Sequence, residues 1–460
     1  MRIGRIKFFT IIMYSIFLIL SMLLINETEN FQVLSSVIVF NFLFQIFLFY
    51  KNGYSLFSFA SIFILLGQLF EFGVILLYSF DYSFSGYVLY QLSRVDQNSL
   101  YEAASYALYC VSFTFIGSLM YPKNNRTKDS ANLSSGRIEY SAKLLRRTGW
   151  LLVVLFGILW GGIQVYNFYL AQFGYLTNIY NTVPSTFLTL GNFMYIGLFF
   201  LMVSAKLDGN MESAKFYFIL SIILAGISML AGVRSMGMCI IILLMIYYNA
   251  YIKTFKKNQI VLFIVVGYFL LATLTAIMHV RKDGFTLAYF LEEWFNCVTS
   301  DVIFNALEEF GLTIFVLAHE VSIFNDGGFS HMPIDIFLHE FLVGIPGLSY
   351  YYPEITLEGY DLLGLRALGS SYIADFYYYL GYAGIAFSII WGIFLGFIDN
   401  LLHKMEIQFA YYKAGAFFTF YALILSEIRS PFRFGYKVLI LTVLVLAIIK
   451  FFTSRVTLHR

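Results

Sequence analysis

Apolar stretches of 17 to 25 residues recur along almost the whole chain, each long enough to cross about 30 Å of hydrocarbon as a helix. Such runs leave few folds open. Inside lipid the backbone must satisfy its own hydrogen bonds, which restricts spanning segments to helices and closed barrels. A barrel strand alternates apolar and polar positions, whereas these runs are continuous. The expected fold is therefore all-α, a polytopic integral membrane protein. Composition agrees, because only 12% of residues are charged against about 25% in soluble domains.

About twelve spans are expected, near 8–25, 31–50, 54–79, 99–121, 149–172, 186–205, 215–231, 237–251, 259–279, 373–397, 413–428 and 436–452. The first lacks a small-residue cleavage motif and runs into a second span, so it reads as an anchor rather than a removed signal. Basic residues collect in cytoplasmic segments. With both termini inside, 21 of the 29 Lys and Arg fall on the cytoplasmic side. The aromatic content of 20% suits a belt at the two interfaces. A net charge of +2 gives no bulk attraction to nucleic acid. Cys110, Cys239 and Cys297 have no close spacing, which argues against a disulfide framework or a zinc site.

The spans are expected to form one membrane domain, 1–460, with two long interruptions. Residues 122–147 are polar and basic and read as a cytoplasmic linker. Residues 280–372 form a large external loop that is partly helical. Within it, 302–324 and 334–349 are apolar runs broken by charges, Gly and Pro, each read as an amphipathic or re-entrant helix on the bundle. No repeats are present.

Eight basic residues resist the orientation rule, and they are the informative ones. Arg234 sits in Ala-Gly-Val-Arg-Ser-Met-Gly (231–237), a short external connection between two apolar spans. A cation at that depth is costly and persists when it snorkels or binds something. Gly232 and Gly237 let backbones approach, and Ser235 adds a hydroxyl. Arg429 and Arg433 frame a second such connection, Ser-Glu-Ile-Arg-Ser-Pro-Phe-Arg-Phe-Gly (426–435). A guanidinium binds phosphate oxygens in bidentate fashion, so arginines on one face suit a pyrophosphate. For Arg429 an internal salt bridge with Glu427 is the competing reading. Arg94, Arg281 and Arg366 complete the external guanidinium set.

Carboxylates and histidines concentrate in the same region. Glu309, His319, Glu320, His339 and Glu340 are candidates for a general base, with Glu292, Glu293, Glu308 and Asp375 nearby. The competing reading is that most of them solvate the outer face of the loop. The two His-Glu pairs lack the i, i+4 histidine spacing of a zincin, so no metal is expected. Glu71 and Glu102 lie in or near the third and fourth spans, where an ionisable group marks a proton or ion path or a structural contact.

With these residues in view, Gly-Val-Arg-Ser (232–235) resembles the Gly-x-Arg-Ser/Gly signature of bacterial O-antigen and capsule polymerases, the Wzy-type oligosaccharide repeat-unit polymerases. Val233 departs from the Gly, Ser or Thr usual there. Leu-Gly-Ser-Ser-Tyr-Ile-Ala-Asp-Phe-Tyr-Tyr-Tyr-Leu-Gly-Tyr-Ala-Gly-Ile (368–385) resembles the family's segment leading from the large external loop into the next span. Glu-Phe-Gly (309–311) resembles a carboxylate-containing element at the start of that loop, and Arg429 matches an arginine of the last external turn.

The resemblance implies a GT-C-like glycosyltransferase architecture and a site on the outer face of the bacterial cytoplasmic (inner) membrane. There a growing lipopolysaccharide or capsule glycan would leave undecaprenyl pyrophosphate for the sugar of a new lipid-linked unit. It implies Arg234 and Arg429 at the pyrophosphate, a loop carboxylate or histidine as base, and Tyr351, Tyr360 and Asp375 at the sugars, with Tyr350 and Tyr352 adding to an aromatic platform. No cofactor is implied. Partners implied are membrane lipid, the undecaprenyl-pyrophosphate-linked oligosaccharides, a chain-length regulator and a flippase. Two other classes fit the same pattern. A ligase for finished glycan would share the arginines and the loop, and a transporter or flippase would share the helix count but favours matched halves.

Overall fold

A computed structural model describes residues 5–80, 82–121, 135–171, 185–230, 234–283, 286–299, 302–327, 370–404, 411–429 and 435–458. Among these residues there is no strand. The helices are α1 (Arg5–Thr28), α2 (Phe31–Lys51), α3 (Phe59–Ser79), α4 (Gly86–Arg94), α5 (Gln97–Met120), α6 (Ser135–Ala171), α7 (Ser185–Leu207), α8 (Met211–Leu230), α9 (Arg234–Tyr247), α10 (Lys257–Asp283), α11 (Leu287–Thr299), α12 (Val302–Phe310), α13 (Ile314–Asn325), α14 (Tyr372–Leu380), α15 (Ala383–Lys404), α16 (Tyr411–Ser426) and α17 (Gly435–Leu458). After α9 the five residues Tyr248–Ile252 widen into a π-helix, and the backbone turns extended at Lys253.

Local sequence explains several boundaries. Asn30, Ser58, Asp96 and Ser371 each sit in extended backbone before a helix and accept a hydrogen bond from its first turn. The bonds from Ser99 hold the Asp96 carboxyl below its ordinary range. Helix α6 begins at Ser135, within the basic segment 122–147. The expected span 373–397 is two helices. Gly381 stands at φ +55°, a left-handed conformation that glycine adopts readily, and it parts α14 from α15.

Among the described residues nine helices are long and apolar enough to cross a membrane: Lys7–Thr28, Phe31–Lys51, Phe59–Ser79, Gln97–Met120, Ala142–Leu170, Phe187–Leu207, Met211–Leu230, Val302–Asn325 and Ala383–Leu402. Four shorter apolar helices, Gly237–Ile252, Val261–Ile277, Lys413–Ser426 and Val438–Phe451, fall on the remaining expected spans. Side chains such as Leu20, Phe40, Val261 and Ile264 are more than half exposed, as on a helix that faces lipid.

Val302–Asn325 qualifies by length and hydropathy, and its bonds run from the middle of α3 to the ends of its neighbours. Glu308 accepts from the Ser85 amide at 2.8 Å, and the Thr313 hydroxyl donates to the Phe70 carbonyl at 2.6 Å. Asn325 donates to Glu102 at 2.8 Å. Ser85, Gln91 and Glu102 all belong to the end where α3 leaves and α5 enters. The segment passes the middle of α3 at the 3-10 turn Gly311–Thr313 and reaches that end at Asn325. Gly73 and Gly311 meet backbone to backbone, since a methyl on either would fall on Leu307 or Val74 main-chain atoms.

Contacts divide the chain into two compact units. Unit 1 comprises Met1–Thr127, Ala306–Lys404 and Glu427–Tyr436. In it α5 crosses α15 at Gly117 and Gly392, where a methyl would strike the Ile389 or Thr114 carbonyl. At the far end of α15 the Asp399 carboxylate accepts from the Phe59 amide at 2.8 Å and so caps α3. A polar chain, Gln68 to Gln45 to Tyr14 to Asn41, ties α3, α2 and α1 together.

Unit 2 comprises Lys128–Asn305, Met405–Ser426 and Lys437–Arg460. Its interior is aromatic: Phe199 stacks on Phe418 at 4.9 Å, and Tyr247 packs edge-on to Phe199 at 4.8 Å. The α10–α11 hairpin encloses Ala272, Ala276, Cys297 and Val302. Its indole and phenol are satisfied locally, Trp294 by Thr273 at 2.9 Å and Tyr268 by the Val298 carbonyl at 2.9 Å.

Candidate functional site

Every buried carboxylate among the described residues lies in unit 1. Four of them come together. Glu71 projects from the middle of α3 and is fully buried. Glu320, on α13, is 3% exposed and lies within electrostatic reach of Asp375 and Glu71. Asp375 sits in the first turn of α14, which starts at the Ser371 cap. Glu427 follows α16 in sequence and faces Asp375. Its own carbonyl accepts from the Tyr372 amide at 3.0 Å, so its backbone is tied to the start of α14 at the site.

Hydrogen bonding in this cluster is incomplete. Neither carboxylate oxygen of Glu71 has a bond, although the Ser371 hydroxyl stands beside it. One oxygen each of Glu320 and Glu427 is open as well, and so is the Tyr372 hydroxyl. A buried polar group left open costs on the order of 1–3 kcal/mol, and more when charged. Groups held at such a cost inside a membrane are candidates for function.

Two residues beyond Glu427, Arg429 is half-buried with its guanidinium 5.9 Å from the centre of the ring of Phe70, the residue before Glu71. A cation at that distance over an aromatic face is attracted by the ring quadrupole. The cluster thus combines oxygen acceptors with a guanidinium at its edge. It offers what a hydroxyl donor and a phosphate would each need.

Two of the residues singled out in the sequence therefore meet, Glu320 and Asp375, and a third, Arg429, lies over the ring of Phe70 next to Glu71 in sequence. His319 is buried next to Glu320 in sequence, with its Nε2 3.4 Å from Gln91 Oε1 and Arg94 within electrostatic reach. Glu309 is half-buried on α12, where its neighbour Glu308 makes the bond to Ser85. Arg234 and Ser235 open α9 in unit 2, and Arg281 lies in the last turn of α10. His339, Glu340, Tyr350, Tyr351, Tyr352, Tyr360, Arg366 and Arg433 lie outside the described residues.

Sequence alone leaves two members out of the site. Glu71 is readable from it as an ion-path carboxylate, and Glu427 as a salt-bridge partner of Arg429. The signal for both is a carboxylate within or against an apolar run. What the sequence lacks is the pairing of α3 with α13 and α14.

Elsewhere, the α10–α11 hairpin brings His279, Glu293 and Cys297 to within 4.8 Å of one another. His279 and Glu293 already pair at 3.1 Å. Cys297 is buried, and burial together with Glu293 raises its thiol above the usual range.

Comparison with known proteins adds one match. The family model described as O-antigen polysaccharide polymerase Wzy covers residues 6–459. No curated protein and no solved structure matched.

Proposed function

Because the chain belongs to the O-antigen polysaccharide polymerase Wzy family, we propose that the carboxylates of unit 1 and Arg429 form its reaction centre. The protein is a multi-pass membrane glycosyltransferase that joins lipid-linked oligosaccharide repeat units. The ligase and transporter readings are not favoured by a match of this extent. The observation that carries the proposal is the meeting of Glu320, Asp375, Glu71 and Glu427 beside Arg429.

In the proposed step, the acceptor sugar's hydroxyl oxygen attacks the anomeric carbon of the donor glycan. Glu320, which has an open oxygen, takes the hydroxyl proton as general base. The bond from the anomeric carbon to the pyrophosphate oxygen breaks, and the electron pair leaves with the undecaprenyl pyrophosphate. Arg429 faces the charge that develops there, where a guanidinium is worth more in the leaving group than in the ground state. Asp375 holds sugar hydroxyls, and Glu71 and Glu427 set the field around the base. Arg366 and Arg433 are proposed as further pyrophosphate contacts and Tyr351 and Tyr360 as sugar contacts, while Arg234 and Arg281 are candidate anion contacts of unit 2 taken by itself.

The proposed setting is the bacterial inner membrane with this cluster toward the outer face. The support is the basic bias of the opposite ends, 21 of 29 Lys and Arg. A GT-C-like arrangement, and a flippase and a chain-length regulator as partners, belong to the same proposal. The test is a polymerase-deleted host carrying wild type, Glu320→Gln or Arg429→Ala at matched expression. A full glycan ladder from wild type and single repeat units from both variants is expected. Ladders from both variants would remove this cluster from the chemistry.

A further inference from the structure

Unit 1 contains a cavity of about 680 Å³ where α1, α2, α5 and the turn before α15 meet. Its size falls within the roughly 300–1,000 Å³ of small-molecule sites. The lining combines Tyr101, Tyr106, Tyr109 and Tyr382 with Glu102 and Ser105, together with asparagine and glutamine side chains. This differs sharply from the cavity of about 610 Å³ between α1 and α2, walled by residues such as Leu20, Leu24, Val33 and Phe40. An acyl or prenyl tail would match the second lining. The first offers aromatic faces for C–H surfaces, with carboxylate and amide groups for hydroxyls, which is the composition of a pyranose.

Two further observations point to a ligand. The Ser105 and Tyr109 hydroxyls in the wall are buried and have no hydrogen-bond partner. Glu102, in contrast, is held in place, accepting from Asn325 at 2.8 Å and from the Tyr382 hydroxyl. One lining residue relates the cavity to the carboxylate cluster. Tyr106 lines it, donates to the Gly381 carbonyl at 3.1 Å, and lies within electrostatic reach of Glu320.

We propose that this cavity binds the carbohydrate of the acceptor repeat unit, as a short oligosaccharide of neutral or amino sugars. The proposal rests on the polymerase reading and adds the place of the acceptor and its charge class. Among the described residues Glu29 and Glu102 line the cavity and no Lys or Arg does. A uronic or other acidic sugar would face like charge there, whereas an amino sugar would gain a partner.

The test uses the full-length protein in lipid nanodiscs and the host's own repeat-unit oligosaccharide, cleaved from its lipid, as the probe. Saturation transfer from protein to sugar reads binding, and ladder formation from the lipid-linked unit reads activity. Glu102→Gln and Tyr101→Ala are expected to weaken oligosaccharide binding and raise KM roughly tenfold, as loss of a charge-assisted bond or a stacking face would. The kcat is expected to stay within about twofold, because these groups bind acceptor in ground and transition states alike. Tyr109→Phe removes only a hydroxyl, so it reports on the site without a folding change and is expected to weaken binding severalfold. Unchanged binding and KM in all three variants, with the ladder intact, would overturn the cavity proposal alone. A wild-type protein that binds the oligosaccharide but makes no ladder would instead overturn the polymerase reading of the centre.

Discussion

Both units are built from apolar helices, yet they bury different chemistry. Unit 2 fills its interior with rings and aliphatic side chains, and its buried polar groups are hydroxyls and amides. Trp160, for example, is satisfied by Ser228 at 3.2 Å. Unit 1 takes in Glu71, Glu320, Asp375, Asp399 and Glu427 along with His319. Asp399 is used up in capping α3, whereas Glu71, Glu320 and Glu427 keep open oxygens. Helix packing does not need carboxylates, since unit 2 packs without burying any among the described residues. Their concentration in unit 1 marks where the molecule gives up stability for chemistry.

The comparison can be broken first in unit 2. Phe418→Ala removes a ring stacked on Phe199 and is expected to cost about 3–5 kcal/mol of stability, read as faster loss of folded protein on heating in detergent. Activity per folded molecule should stay the same. A fall in kcat at full folding would show that this aromatic interior also serves the chemistry.

Arg429→Ala in unit 1 is expected to do the reverse. Ladder formation should drop about 10²–10³-fold with little change in thermal stability, and Arg429→Lys should recover little, because one ammonium cannot make the bidentate contact. Glu320→Gln should slow the reaction about 100-fold while retaining lipid-linked substrate, measured by single-turnover ladder assays. If Glu320→Gln turned over normally while Asp375→Asn did not, the base would be reassigned within the cluster.

The smallest effect is expected at Asp96, which caps α5. Asp96→Ala should destabilise by less than about 1 kcal/mol, because the group is largely solvated. Its carboxyl is held below the usual range, so the folded state prefers it ionised. The cap's contribution is therefore complete above the ordinary carboxylate pKa and is lost as pH falls through the lower folded-state value. Wild type and variant melting temperatures should converge in acid.

Hydropathy made the spans legible because each helix must be apolar over its own length, a property of consecutive residues. It could not show the division at Gly381, since Ala-Asp-Phe-Tyr-Tyr-Tyr-Leu-Gly-Tyr-Ala-Gly stays apolar on both sides of the break. Nor does it separate a re-entrant segment from a crossing one at 302–325. The partners that Glu308, Thr313 and Asn325 find are invisible to it as well. The site was half legible for the same reason. Glu320, Asp375 and Arg429 stood out as charges near apolar runs, but Glu71 joins them only through contacts some 300 residues away in sequence, at Ser371. Periodicity carries no information about such pairings.

The crossing of α5 and α15 has a consequence for how the protein is made. Gly117 and Gly392 touch, and the largest segment of unit 2, Lys128–Asn305, is encoded between them. At about 5–20 residues per second, a ribosome needs on the order of tens of seconds to travel from one to the other. For most of that interval the first five helices are complete while α13, α14 and α15 do not yet exist. Glu71 must then wait in or beside the bilayer without the helices that later enclose it. The order of the genetic message thus opens a window in which the nascent chain depends on lipid, the insertion machinery or a holdase to shelter its reaction centre before it is complete.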